Sequence, residues 1–223
     1  MTRIVYLHGF ASSPQSSKAR FFEQKFLEQG VPFDAPRLDE GDFSKLTIAG
    51  QQRVIERTVA GGPVVLMGSS LGGYLAALYA AQHPDQVEKL VLLAPAFHFP
   101  SRWKARFTPE ELAAWKQHGT KTFFHYGDRQ NRELGYQLVE EAGAHEDEPA
   151  FTQPALIIHG RNDDVVPAAA SEHFAQGHPN AKLLLVDSGH ELTDVTDQLW
   201  SSTAAFLGYV IDSNWIARPK NIR

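Results

Sequence analysis

Three separated segments carry a hydroxyl, an imidazole and a carboxylate in settings that suit nucleophilic attack on a carbonyl. The first is Gly68-Ser69-Ser70-Leu71-Gly72, the second His159-Gly160-Arg161-Asn162-Asp163-Asp164, and the third Asp187-Ser188-Gly189-His190-Glu191. A serine hydroxyl is a poor nucleophile until a base takes its proton, and that base works best when a carboxylate orients it. Ser70 is the candidate nucleophile, His190 the candidate base, and Asp163 or its neighbour Asp164 the candidate carboxylate. With no cysteine in the chain, a thiol nucleophile, disulfides and thiolate metal sites are all excluded.

The Gly-x-Ser-x-Gly spacing alone is a modest signal, since about 0.07 matches are expected by chance from this composition. Its setting raises it. Val64-Val65-Leu66-Met67 reads as a buried strand and Gly72 onward as a helix start, so Ser70 falls on a sharp strand-to-helix turn. Glycines there would let neighbouring backbone approach, although a tight turn by itself would also ask for them. Ser69 is the rival, but it lacks a glycine two residues away on both sides. The helix start offers free N–H groups to an anion; the amide of Leu71, with that of Phe10 in the early turn Leu7-His8-Gly9-Phe10, is the expected oxyanion hole. His159 reads as a brace for the acidic loop, Asp187 and Asp194 as caps of turns or helices, and His98 and His125 as bystanders.

The elements that must position these groups follow from hydrophobic patterning. Short apolar runs at 4–7, 33–35, 64–68, 89–93, 155–159 and 182–186 read as strands buried on both faces. Helical stretches at 17–29, 44–59, 72–82, 168–175 and 198–210 alternate with them, punctuated by Gly30, Gly61-Gly62-Pro63, Pro84 and Gly208. The fold class is α/β: a doubly wound, mostly parallel sheet of about six strands. Parallel strands put all their C-terminal ends, and therefore all three segments, on one edge.

Residues 95–154 exceed what a strand-helix-strand unit needs and read as a small inserted lid within a single domain spanning 1–223. Thr108-Pro109-Glu110-Glu111 marks a capped helix running through 112–117; 120–126 is strand-like, 128–131 turn-like and 135–142 helical. Phe97, Phe99, Trp103, Phe107 and Trp115, with Phe123, Phe124 and Tyr126, either line a substrate pocket or pack the insertion onto the body. The ending 215–223 reads as a mildly basic tail.

The 223 residues are 43% apolar and 11% aromatic with a net charge of −5, which suits one globular domain and gives no nucleic-acid footprint. The N-terminal apolar run is too short for a signal peptide and no run is long enough to span a bilayer, so a cytoplasmic location without membrane insertion is expected.

Taken together, the Gly68–Gly72 elbow, the His8-Gly9 turn, the His159 to Pro167 loop and Gly189-His190 resemble the α/β-hydrolase superfamily across almost the whole chain. The loop pattern HG-x-x-D-x-x-VP selects Asp163 over Asp164. Leu7-His8-Gly9-Phe10-Ala11-Ser12-Ser13-Pro14 with Ser17-Lys18-Ala19 downstream resembles the small bacterial YqiA-like esterases. The resemblance implies that the chain starts at the superfamily's third strand, with its strands in the order 2-1-3-4-5-6, and that it is a Ser70-His190-Asp163 carboxylesterase needing no metal or organic cofactor, acting on a small-molecule ester. Hydrolysis of another acyl bond, or ligand binding without turnover, are the alternatives.

Overall fold

Strand residues alternate strictly between two cores, which dictates a sheet covered on both faces. The computed structural model describes residues 2–209; the proposed tail and the last residue of the helix expected to end at 210 lie outside them. Val5 and Leu7 of β1 (Arg3–Leu7) enter one core while Ile4 and Tyr6 enter the other. Leu66 against Met67 in β3 (Val64–Ser69), Leu92 against Val91 in β4 (Val87–Leu93), and Ile157 against Ile158 in β7 (Ala155–Gly160) repeat the pattern. With β2 (Phe33–Asp34) and β8 (Ala181–Val186) these form one parallel sheet in the order β2-β1-β3-β4-β7-β8, which is the order expected.

Helices α1 (Ser17–Glu28) and α8 (Thr196–Leu207) cover one face, burying Phe22, Phe26, Leu199 and Trp200. The other face holds α2 (Ile48–Val59), α3 (Leu71–Gln82) and α7 (Ala168–Gly177). In α3 every residue from Leu71 to Ala80 is buried, as befits a helix enclosed all round rather than amphipathic.

Three expectations for boundaries are corrected. The last helix ends at Leu207 rather than 210, because Gly208 turns left-handed at φ 84° and closes it. The second helix does not begin at 44: a short 3₁₀ turn, Phe43–Lys45, precedes it, and the Thr47 hydroxyl caps the true start by accepting from the Gly50 amide at 2.9 Å. The fourth strand starts at Val87, two residues early, because Pro84–Gln86 already completes the turn.

The inserted segment holds more order than expected. It contains α4 (Phe99–Ala105), α5 (Pro109–His118), a hairpin of β5 (Thr120–His125) with β6 (Gln130–Gly135), and α6 (Gln137–Ala142). Thr108 and Glu111 form the reciprocal cap that their spacing implies, and Gly119 ends α5 at φ 81°. Neither α4 nor β6 was expected: β6 takes residues 130 and 131 from the expected turn and residue 135 from the expected helix, which runs from Gln137 to Ala142.

Candidate active site

Ser70 follows the last residue of β3 at φ 54° and ψ −119°, a conformation that costs a non-glycine residue on the order of 1–3 kcal/mol. Hydrogen bonds hold it there. The Ser70 amide donates to the Leu93 carbonyl at 2.9 Å, and the Ser70 carbonyl accepts from Gly73, Tyr74 and Ala96. The two glycines of the elbow are needed for space. A β-carbon on Gly68 would lie 2.2 Å from the Gly72 carbonyl oxygen, and one on Gly72 would lie 2.0 Å from that of Leu7. The first strand's exit therefore runs directly over the start of α3.

That close approach brings the early turn to the serine: a β-carbon on Gly9 would sit 3.4 Å from Cβ of Ser70. Phe10 directly follows Gly9 in that turn, and Leu71 is the first residue of α3, where helix N–H groups lack intrahelical partners. His8 sets the turn. Its Nε2 accepts from the Leu38 amide at 3.3 Å, so Nδ1 carries the proton and donates to the Gly9 carbonyl at 3.0 Å. Burial pushes the pKa of His8 down to about 4, against the raising effect of its bond to Gly9. Held neutral, His8 fixes the peptide before Phe10; the sequence pointed to the turn as an oxyanion donor but gave no role to the His8 side chain.

The structure brings Ser70, His190 and Asp163 together across 120 and 27 residues of chain. Nε2 of His190 lies 3.0 Å from the Ser70 oxygen, and Nδ1 lies 2.7 Å from Oδ2 of Asp163. Asp164 is exposed on the same loop, while the Asp163 side chain is fully buried. Burial raises the pKa of Asp163, but hydrogen bonds from His159, His190 and the Val166 amide outweigh it and hold the carboxyl well below the usual range. Its Oδ1 accepts from the amides of Val165 at 2.9 Å and Val166 at 2.7 Å. His159 braces the loop as expected: its Nε2–H is shared between Asp163 at 3.1 Å and the Val166 carbonyl at 2.9 Å, and Nδ1 meets the Ser171 hydroxyl at 2.7 Å.

The acidic loop and the histidine loop are zipped together. Arg161 and Asn162 donate backbone bonds to Val186 and Ser188, the Asn162 side chain bonds Asp187, and the Ser188 hydroxyl bonds Asp194. Gly160 lies so close under the histidine loop that a β-carbon would come within 2.3 Å of the Ser188 carbonyl. In sequence it is only the glycine of the HG loop pattern just beyond a strand end, and this packing role is not visible there. Such a chain of contacts, a hydroxyl on an imidazole on a buried carboxylate, can move a proton off Ser70 and stabilise the imidazolium that results.

The aromatic set packs rather than opening a pocket. Phe97 is fully buried and stacks on Phe174 at 4.1 Å, in the body of the fold. Phe99, Trp103, Phe107 and Trp115 form one ring-on-ring cluster with Phe123, and Trp103 lies 4.7 Å from the ring of Phe10. His125 is buried beside Phe43 and His98 pairs with Glu148, while Phe124 and Tyr126 are exposed. A cleft of about 350 Å³ opens elsewhere, lined by Arg37, Asp39, Asp128 and Arg132 and by none of Ser70, Asp163 and His190. Among the described residues, no group of three or more His, Asp or Glu could hold a metal ion, and no helix is long and apolar enough to cross a membrane.

The model of the uncharacterised protein family UPF0227 matches residues 3–207. The chain belongs to that family. It is 26% identical over 217 residues, 82% of this chain and 85% of the relative, to a pimeloyl-[acyl-carrier protein] methyl ester esterase of Nitrosomonas europaea. It is also 25% identical over 212 residues to the mitochondrial palmitoyl-protein thioesterase ABHD10 of Mus musculus, covering 87% of this chain and 70% of the other. Among solved structures, the ferulic-acid-bound Est1E of Butyrivibrio proteoclasticus superposes with a TM-score of 0.77 at 21% identity, over 93% and 90% of the two chains. The UPF0227 chain therefore has the α/β-hydrolase fold that its motifs resemble.

Proposed function

We propose that this UPF0227 protein is a serine hydrolase of small carboxylic esters. The observation that carries the reading is the continuous contact from the Ser70 oxygen through His190 to the buried, ionised Asp163. Ser70 Oγ attacks the ester carbonyl while its proton passes to Nε2 of His190. The amides of Phe10 and Leu71 receive the oxyanion of the tetrahedral intermediate. His190 then gives its proton to the departing alcohol, leaving an acyl group on Ser70. Water, deprotonated by His190, attacks that acyl group and releases the acid. Asp163 keeps the Nδ1 proton of His190 in place throughout.

The esterase and thioesterase names of two relatives support acyl transfer as the chemistry. The segment 95–154 acts as the lid, since α4 joins both sides of the site: Trp103 packs on Phe10, and Arg102 donates to the Val165 carbonyl at 3.2 Å. A thioester is the second reading, favoured by the thioesterase relative. Turnover of p-nitrophenyl esters from acetate to decanoate, beside matched acyl thioesters, tests both. Ester turnover that vanishes in Ser70→Ala is expected. Ester turnover retained in that variant removes the mechanism, and thioester turnover alone moves the assignment to the second reading.

A further inference from the structure

Lys18 is the second residue of α1, and only 9% of its side chain is exposed. This is an unfavourable place for a cation, since the helix N-terminus already carries partial positive charge and burial strips the ammonium of water. Burial lowers its pKa, opposed by Glu191 and Asp163. Its partners lie in the loop after β8. Nζ donates to the Glu191 carbonyl at 2.7 Å and to the Glu191 carboxylate at 3.3 Å. That carboxylate is 76% exposed, so the ion pair contributes little and the carbonyl bond is the significant contact.

Glu191 directly follows His190, and the next residue, Leu192, is buried at φ 55°. A leucine leaves that left-handed region unless its surroundings hold it there. One side of the loop is tied by Ser188 to Asp194 and by its fit over Gly160. The other side is tied across the molecule by Lys18.

We propose that Lys18 is a positioning residue for His190: by clamping the Glu191 carbonyl, it keeps the imidazole aligned between Ser70 and Asp163. The inference rests on His190 acting as the base for Ser70. Without the clamp a polar carbonyl loses its partner, the strained turn at Leu192 relaxes, and the imidazole drifts from the serine. A drift of that kind, with the substrate site untouched, lowers kcat and leaves KM alone.

The test compares native protein, Lys18→Met and Ser70→Ala on p-nitrophenyl butyrate, with proton NMR of the downfield resonance from the His190–Asp163 hydrogen bond. Lys18→Met is expected to lower kcat on the order of 10- to 100-fold with KM within about twofold, and to shift or broaden that resonance. Native kcat in Lys18→Met, or a lowered kcat with the resonance unmoved, overturns the proposal. If Lys18→Met does not fold, Lys18→Gln, which keeps a donor too short to reach the carbonyl, is expected to show the same split, and native kcat there overturns the proposal equally. Full turnover in Ser70→Ala is a separate result, and sinks the role of the serine rather than that of the lysine.

Discussion

Replacing Asp163 by asparagine removes one charge and forces a choice of two orientations, each with a defect that can be worked out. Oδ1 now accepts from the Val165 and Val166 amides, while Oδ2 faces Nδ1 of His190 and the protonated Nε2 of His159. If the new NH₂ group faces the two amides, the exposed Val165 N–H and the partly buried Val166 N–H both lose their acceptor, the second at about 1–3 kcal/mol. If it faces the histidines, His159 loses one of its two acceptors and keeps the Val166 carbonyl, but His190 must then accept at Nδ1. The second orientation strands fewer groups and puts the His190 proton on Nε2, pointing at Ser70, where it cannot act as a base. The expected loss in kcat is about 10³- to 10⁴-fold, or roughly 4–5.5 kcal/mol in the barrier. Asp164→Asn, on an exposed side chain one residue away, is expected to change kcat by less than about twofold. Steady-state hydrolysis of a p-nitrophenyl ester decides it. Asp163→Asn keeping more than about a tenth of native kcat, or Asp164→Asn falling further than Asp163→Asn, refutes the reasoning.

The same carboxyl gives a stability signature. Its pKa is depressed in the folded state, so its contribution is present above the ordinary carboxylate range near pH 4 and is lost as pH falls toward the folded value. Acid titration of chemical unfolding should therefore be flatter below about pH 4 in Asp163→Asn than in the native chain. His8 acts at higher pH. Because its folded pKa is about 4 against 6.5 in the free side chain, unfolded chains protonate first, and stability should fall by about 3 kcal/mol as pH drops from 6.5 to 4. A His8→Gln chain whose urea midpoint falls as steeply over that range contradicts this. Gly72→Ala should cost about 3 kcal/mol or more in thermal or urea unfolding, because its β-carbon meets backbone of Leu7 rather than a movable side chain; a loss under about 1 kcal/mol contradicts the close approach.

The sheet was legible because strands buried on both faces carry continuous apolar runs, and because glycines and prolines separate them from helices; its strand order came from the family resemblance. Parallel strands then bring Ser70, Asp163 and His190 to one edge without any knowledge of side-chain geometry. What sequence could not supply lay where local pattern and tertiary role part company. Gln130–Gly135 is polar and mostly exposed, with none of the alternation that marks a strand, and it is extended only because β5 pairs with it. Helix α4 starts after His98, which is left-handed and gives no side-chain cap, so Pro100 in its first turn stands without the capping residue that would mark a start. The Asp163 over Asp164 choice needed a family pattern, since both residues share one loop; burial separates them at once. His8, Gly160 and Lys18 each act through a backbone group far along the chain, and only packing reveals such partners.

The central claim is that the Ser70 oxygen is the atom that attacks. Intact-mass spectrometry after exposure to a fluorophosphonate, followed by peptide mapping, reads that atom directly. One adduct on Ser70 in the native chain and none in Ser70→Ala is the expected result. An adduct on Ser69 or elsewhere, or equal labelling of Ser70→Ala, would contradict it.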